Sequence, residues 1–156
     1  MQETLLQFLK RQPGFHGWDT GESREQISAA ETAIGRSLPV EHVELLRGGA
    51  SSVRGDLKLL YLYEAREMIY FTSPPDAFEG LQGMVLFGHD GSDDLYFYDP
   101  DGKLGHGAWA IFLIDMPTAY APASEARRDA IFVARDLRQL VERILAGDSF
   151  ERDRDG

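Results

Sequence analysis

The side chains best equipped for chemistry in this sequence are four histidines, a crowd of aspartates and several tyrosines, with no cysteine at all. The lack of cysteine removes disulfides, thiolate nucleophiles and Cys-containing zinc sites together. His16, His42, His89 and His106 never fall at i and i+4 on one helix, so the metalloprotease spacing is missing. Asp90, Asp93, Asp94, Asp99 and Asp101 crowd the stretch HDGSDDLYFYDPDGK. Neither Asp90 nor Asp99 opens the ligand register of a calcium loop with its central glycine. Asp90-Gly91-Ser92-Asp93 and Asp99-Pro100-Asp101-Gly102 are better explained as turns bracketing a strand. No G-x-S-x-G elbow surrounds any serine, Ser51-Ser52 in GGASSVRG included. Phosphate-binding glycine loops are also missing, and the cluster GKLGHG from Gly102 to Gly107 does not open a helix. Carboxylate pairs assemble through space, and with 26 acids a coincidental pair is the default. No catalytic set, no metal and no cofactor is expected.

The chain that must position these residues has 156 of them, 43% hydrophobic, with 16 Lys+Arg against 26 Asp+Glu and a formal net charge of -10. That is enough for one core and one domain. The acidic balance argues against a nucleic-acid binder, which needs a basic surface, and points to a basic partner if the partner is charged. The opening MQETLLQFLKRQPG is too short and polar for a signal peptide, and no run approaches the roughly 20 apolar residues of a membrane helix. The expected location is the cytoplasm.

Helical spacing of Leu5, Leu6, Phe8 and Leu9 gives a first helix, ended by Pro13 and Gly14. Ser23 and Gln26 stand at capping-box spacing before a second helix, which buries Ile27, Ala30 and Ile34 and closes on Gly35. Pro39 is expected at the first position of a third helix, with Val43 and Leu46 inward, Leu45 adjoining, and Gly48-Gly49 as its stop. The period then changes. Leu57 to Tyr63, Met84 to Phe87, Leu95 to Tyr98 and Ala110 to Ile114 read as strands, with Ile131 to Val133 a short fifth. Pro74-Pro75, Asp99-Pro100-Asp101-Gly102 and Pro117 to Pro122 read as loops. Asp136 and Gln139 cap a last helix, whose Leu137, Leu140, Val141, Ile144 and Leu145 form one apolar stripe. The expectation is an α+β fold: a single domain over 1–147 with a mostly antiparallel sheet of about five or six strands, helices packed on it, and a disordered acidic tail over 148–156.

Tyr61, Tyr63, Tyr96 and Tyr98 lie on two of these strands. Packing in a half-buried sheet explains them first. The functional alternative is an aromatic face rimmed by aspartates and suited to a basic protein.

The segment Ile27-x3-Glu31-x2-Ile34-Gly35-x2-Leu38-Pro39-x-Glu41-His42-x2-Leu45-Leu46, followed by Gly48-Gly49, resembles the SUKH superfamily, also called Smi/Knr-like. Its signature is an E-x-x-[LI]-G-x-x-LP-x-[DE]-[YF]-x-x-LL segment ending in a glycine turn. LKLLYLYEARE is similar to the family's strand running into a short polar helix, MVLFGHDGSDDLYFYD to its central hairpin and VARDLRQLVERIL to its closing helix, so the resemblance spans 23–146. His42 stands where the family usually has Tyr or Phe, Gly48 where it usually has Asn, and Asp93-Asp94 where Gly-Asp is common.

The resemblance implies a non-enzymatic bacterial immunity protein, which binds a toxin delivered by another cell, often a nuclease, and occludes it. On that reading Asp90, Asp93, Asp94, Asp99 and Asp101, with Tyr96 and Tyr98, are the expected partner contacts. The carboxylates would imitate the phosphates a nuclease expects, and the tyrosines would supply affinity. A regulatory or small-ligand module using the sheet face and glycine turns is the alternative, and a hydrolase is the least favoured reading.

Overall fold

The computed structural model of the chain describes residues 3–72 and 77–150. The expected loop at Pro74-Pro75 lies outside the described residues. Helix α1 (Leu5–Lys10) leads to strand β1 (Phe15–Gly17), then to helices α2 (Arg24–Ile34) and α3 (Val40–Arg47). Strands β2 (Ala50–Arg54) and β3 (Leu59–Leu62) follow, then helix α4 (Ala65–Thr72), a 3-10 turn (Glu79–Leu81) and strands β4 (Val85–His89), β5 (Asp94–Asp99) and β6 (Ala110–Asp115). Helices α5 (Met116–Ala119) and α6 (Ala123–Asp129), strand β7 (Ile131–Ala134) and helix α7 (Leu137–Leu145) complete it. The fold is α+β, with one antiparallel sheet of seven strands, ordered β1 to β7 as in sequence, among the described residues.

Local chemistry explains most boundaries. Ser23 accepts from the Gln26 N–H while the Gln26 side chain returns to the Ser23 N–H, the reciprocal cap expected from their spacing. Gly35 closes α2 with φ 81°, a left-handed turn that costs glycine nothing. Beyond it, the Glu31 carboxylate reaches forward to accept the Leu38 N–H at 2.6 Å. That bond pins the α2–α3 corner. Pro39 sits one residue earlier than expected, at the extended N-cap (ψ 144°), and Val40 opens the helix. Asp136 caps α7 as expected, accepting from Gln139 N–H at 2.8 Å.

Two strands exceed the expected count. β1 has only three residues, and β2 (ASSVR) is small and polar, so neither shows an apolar run; the register Phe15↔Val53 and Ser52↔Tyr61 makes them strands through pairing. The proline-bracketed stretch expected to be loop contains α5, and α6 follows immediately. β4, β5 and β6 are buried almost throughout, so both of their faces are covered, and their apolar residues run on without alternating. Residues 148–150, expected to belong to a loose tail, are packed against the domain. Phe150 is 3% exposed, its N–H bonds to Asp148, and Arg143 both pairs with Asp148 and lies over the Phe150 ring at 4.9 Å. Residues 151–156 lie outside the described residues.

Candidate functional site

The strand length of β5 divides the expected contact set. Asp90, Asp93 and Asp94 gather at one end of the β4–β5 hairpin, whereas Asp99 and Asp101 lie at the other, on the order of 16 Å along the strand. At the first end the β5–β6 register sets Asp94 directly opposite Asp115, adding a fourth carboxylate that the sequence did not single out. Lys58 answers them, 3.3 Å from Asp90 and 3.8 Å from Asp94.

These acids are not equivalent. The Asp90 side chain is nearly buried and serves the turn: Oδ1 accepts from the Ser92 N–H (3.0 Å) and hydroxyl (2.6 Å). Burial opposes its ionisation, but the Ser92 bonds and Lys58 outweigh it and hold its carboxyl below the usual range. Asp93 is exposed. Asp94 goes the other way: partial burial first, then the Asp90 and Asp115 charges, push its carboxyl up despite Lys58. Asp115 is exposed and caps α5 through Thr118 N–H.

Three expected contacts must be corrected. Tyr96 is 0% and Tyr98 1% exposed, because β5 is central and both its faces are covered. Their hydroxyls are spent internally, Tyr96 on the Leu59 carbonyl at 3.1 Å and Tyr98 on His42 Nδ1 at 2.8 Å. Asp99 is also fully buried, and its two oxygens accept the Lys103 and Leu104 N–H groups, folding the loop before β6. None of the three can touch a partner from this surface. Asp101 is exposed and held by Arg36 at 2.8 Å, far from the other acids.

His42 is the most unusual polar group in the core. It is fully buried, edge-on to Phe87 at 5.4 Å, and its Nε2 has no hydrogen-bond partner. Burial alone pushes its imidazole down to about 4, so it is neutral at physiological pH. The Tyr98 hydroxyl is then best satisfied by donating to Nδ1, which leaves the proton on Nε2.

Sequence reasoning missed a cavity of about 290 Å³ beside α2 and α4. Trp18, Glu22, Leu46, Gly49, Tyr63 and Glu64 contribute to its wall. The mix of aromatics and turn residues from Phe15 to Gly21 was visible, but the cavity is made by segments up to 46 positions apart, which no local pattern reveals. Among the described residues, no group of three or more His, Asp or Glu side chains is placed to hold a metal ion. No helix among them is long and apolar enough to cross a membrane. In comparisons with known proteins, the chain matches no family model and no curated protein.

Proposed function

We propose that this chain is a non-enzymatic binding protein for a basic protein, of the immunity type: it neutralises a bacterial toxin, such as a nuclease, by covering its active site. The observation that carries this reading is the carboxylate crowding around Asp94, where Asp90, Asp93 and Asp115 share one end of the sheet with Lys58. Partial burial first, and the Asp90 and Asp115 charges after it, make Asp94 resist ionisation in the isolated protein. An approaching Lys or Arg relieves that repulsion, so the same groups that are unfavourable alone favour the complex. The net charge of -10 extends this attraction beyond contact range and speeds encounter with a basic partner.

The SUKH resemblance supports the same reading through physical parts of its signature. Glu31 locks the α2–α3 corner, and His42 occupies, beneath the sheet, the place of the family's usual aromatic ring. The occluding surface is acidic and belongs to the hairpin end, with Asp93 and Asp94 as contacts, Asp115 beside them and Asp90 shaping the turn.

The test is to mix the purified chain with the toxin encoded by the gene adjacent to its own. A stoichiometric complex on size exclusion, with loss of toxin activity, is expected. Absence of both binding and protection overturns the assignment.

A further inference from the structure

The cavity at Trp18 is held open by backbone rather than by chance side-chain placement. The Trp18 N–H donates to the Gly49 carbonyl at 2.7 Å and the Glu22 N–H to the Leu46 carbonyl at 2.9 Å, so the loop is fastened to the end of α3 at both of its ends. Gly21 must be glycine for that approach, because a Cβ there would run into the Arg47 carbonyl. So fastened, the loop leaves its indole 52% exposed, an unusual position for a large ring that could have packed inward.

Glu22 lines the same cavity as the indole. Its Oε2 accepts the Ala65 N–H, the first of α4, at 2.9 Å, and among the described residues no hydrogen bond reaches its Oε1. Desolvation pushes this carboxyl up, with the Glu64 and Glu67 charges adding to it against the Ala65 bond and Arg66. Glu64 also lines the cavity, while Arg66 pairs with it from outside. Among the described residues, no lysine or arginine lines the cavity. The volume lies near the lower end of the roughly 300–1,000 Å³ usual for ligand sites, so it suits a single side chain better than a cofactor.

We propose that this cavity is an anchor site for an arginine side chain of the basic protein partner, its guanidinium stacked on the Trp18 indole and hydrogen-bonded to Glu22. A planar cation is the group that satisfies both walls at once, since it is attracted to an indole face and matches a carboxylate in the same plane. The identity of the occupant as a protein side chain rests on the function proposed above. The cavity and the acidic hairpin end lie toward opposite ends of β3, on the order of 10 Å apart along that strand, close enough for one partner of ordinary interface size.

The experiment is an NMR titration of the full chain with N-acetyl-arginine amide, read at the Trp18 indole N–H. N-acetyl-citrulline amide, of the same shape without the charge, serves as the control. Saturable movement of the Trp18 signal by the arginine compound, with little from citrulline, is expected. Glu22→Gln should weaken that binding roughly tenfold while keeping the Ala65 acceptor and therefore the fold, the loss expected for one charge-assisted hydrogen bond. Trp18→Ala, followed at the Glu22 backbone N–H because the indole reporter is gone, and with an unchanged melting midpoint, should bind the arginine compound several-fold more weakly. A silent Trp18 signal, an equal response to citrulline, or full affinity in Glu22→Gln overturns the anchor site. Hexalysine followed at the Asp93 and Asp94 amides reports on the hairpin separately, so the hairpin reading and the anchor site can each fail alone.

Discussion

At the scale of single residues, His42 and Asp94 do opposite things with buried charge. His42 stays neutral in the fold down to about pH 4, but titrates near 6.5 once unfolded. Between those values the unfolded chain binds the extra proton. The stabilisation is therefore complete above about pH 6.5 and is lost as pH falls toward 4, by roughly 3 kcal/mol. Urea unfolding at several pH values should show this loss. The double variant His42→Phe, Tyr98→Phe, which removes both polar groups together, should show a correspondingly flatter dependence over that window; an unchanged slope would place the acid sensitivity elsewhere. Asp94→Asn should slightly raise the melting midpoint, since it relieves repulsion with Asp90 and Asp115, and should slow association with the partner. A variant that melts lower, or that associates at the normal rate, contradicts the role given to Asp94. The tyrosine types at 96 and 98 were legible, but not their burial. Alternation placed phenols on a face without revealing that β5 is buried on both faces.

At the scale of elements, the caps were the most legible feature. Ser23 with Gln26, Gly35, and Asp136 with Gln139 act within a few residues, so spacing alone specifies them. β1 and β2 were not legible because pairing partners, rather than their own composition, make them strands. The α2–α3 corner offers a direct check on the signature glutamate. Glu31→Ala should cost about 2 kcal/mol in urea unfolding by leaving the Leu38 N–H without its charged acceptor, with Glu31→Gln costing less. Equal stability of all three proteins would show that the bond contributes nothing. The end of the chain gives another check. Phe150→Ala should destabilise by about 3 kcal/mol, as expected for a ring packed into the core rather than a solvated tail. A change within measurement error would return this segment to the solvated tail suggested by its charges.

At the scale of the whole molecule, the charge of -10 resolves into separate populations. Some acids are structural, such as Asp99 inside its loop and Glu31 at its corner. Asp101 is paired with Arg36. Asp93, Asp94 and Asp115 share one sheet end, Asp94 beside Lys58 and Asp115 capping α5, while Glu22 and Glu64 line the Trp18 cavity, bonded to the Ala65 N–H and to Arg66. The two turns bracketing β5 already imply the division of the aspartates, since a six-residue strand separates its ends by roughly 16 Å; the pairing of Asp94 with Asp115 depends on the β5–β6 register, which no local pattern reveals. The most direct measurement is the association rate with the proposed basic partner, sought as the product of the adjacent gene, as a function of ionic strength, for the native chain and for Asp93→Asn, Asp94→Asn. The native rate should fall steeply with added salt, and the double variant should associate several-fold more slowly at low salt with a shallower dependence, as electrostatic steering requires. A native rate indifferent to salt, or a double variant that matches the native chain at every ionic strength, would contradict an acidic surface built to capture a basic protein.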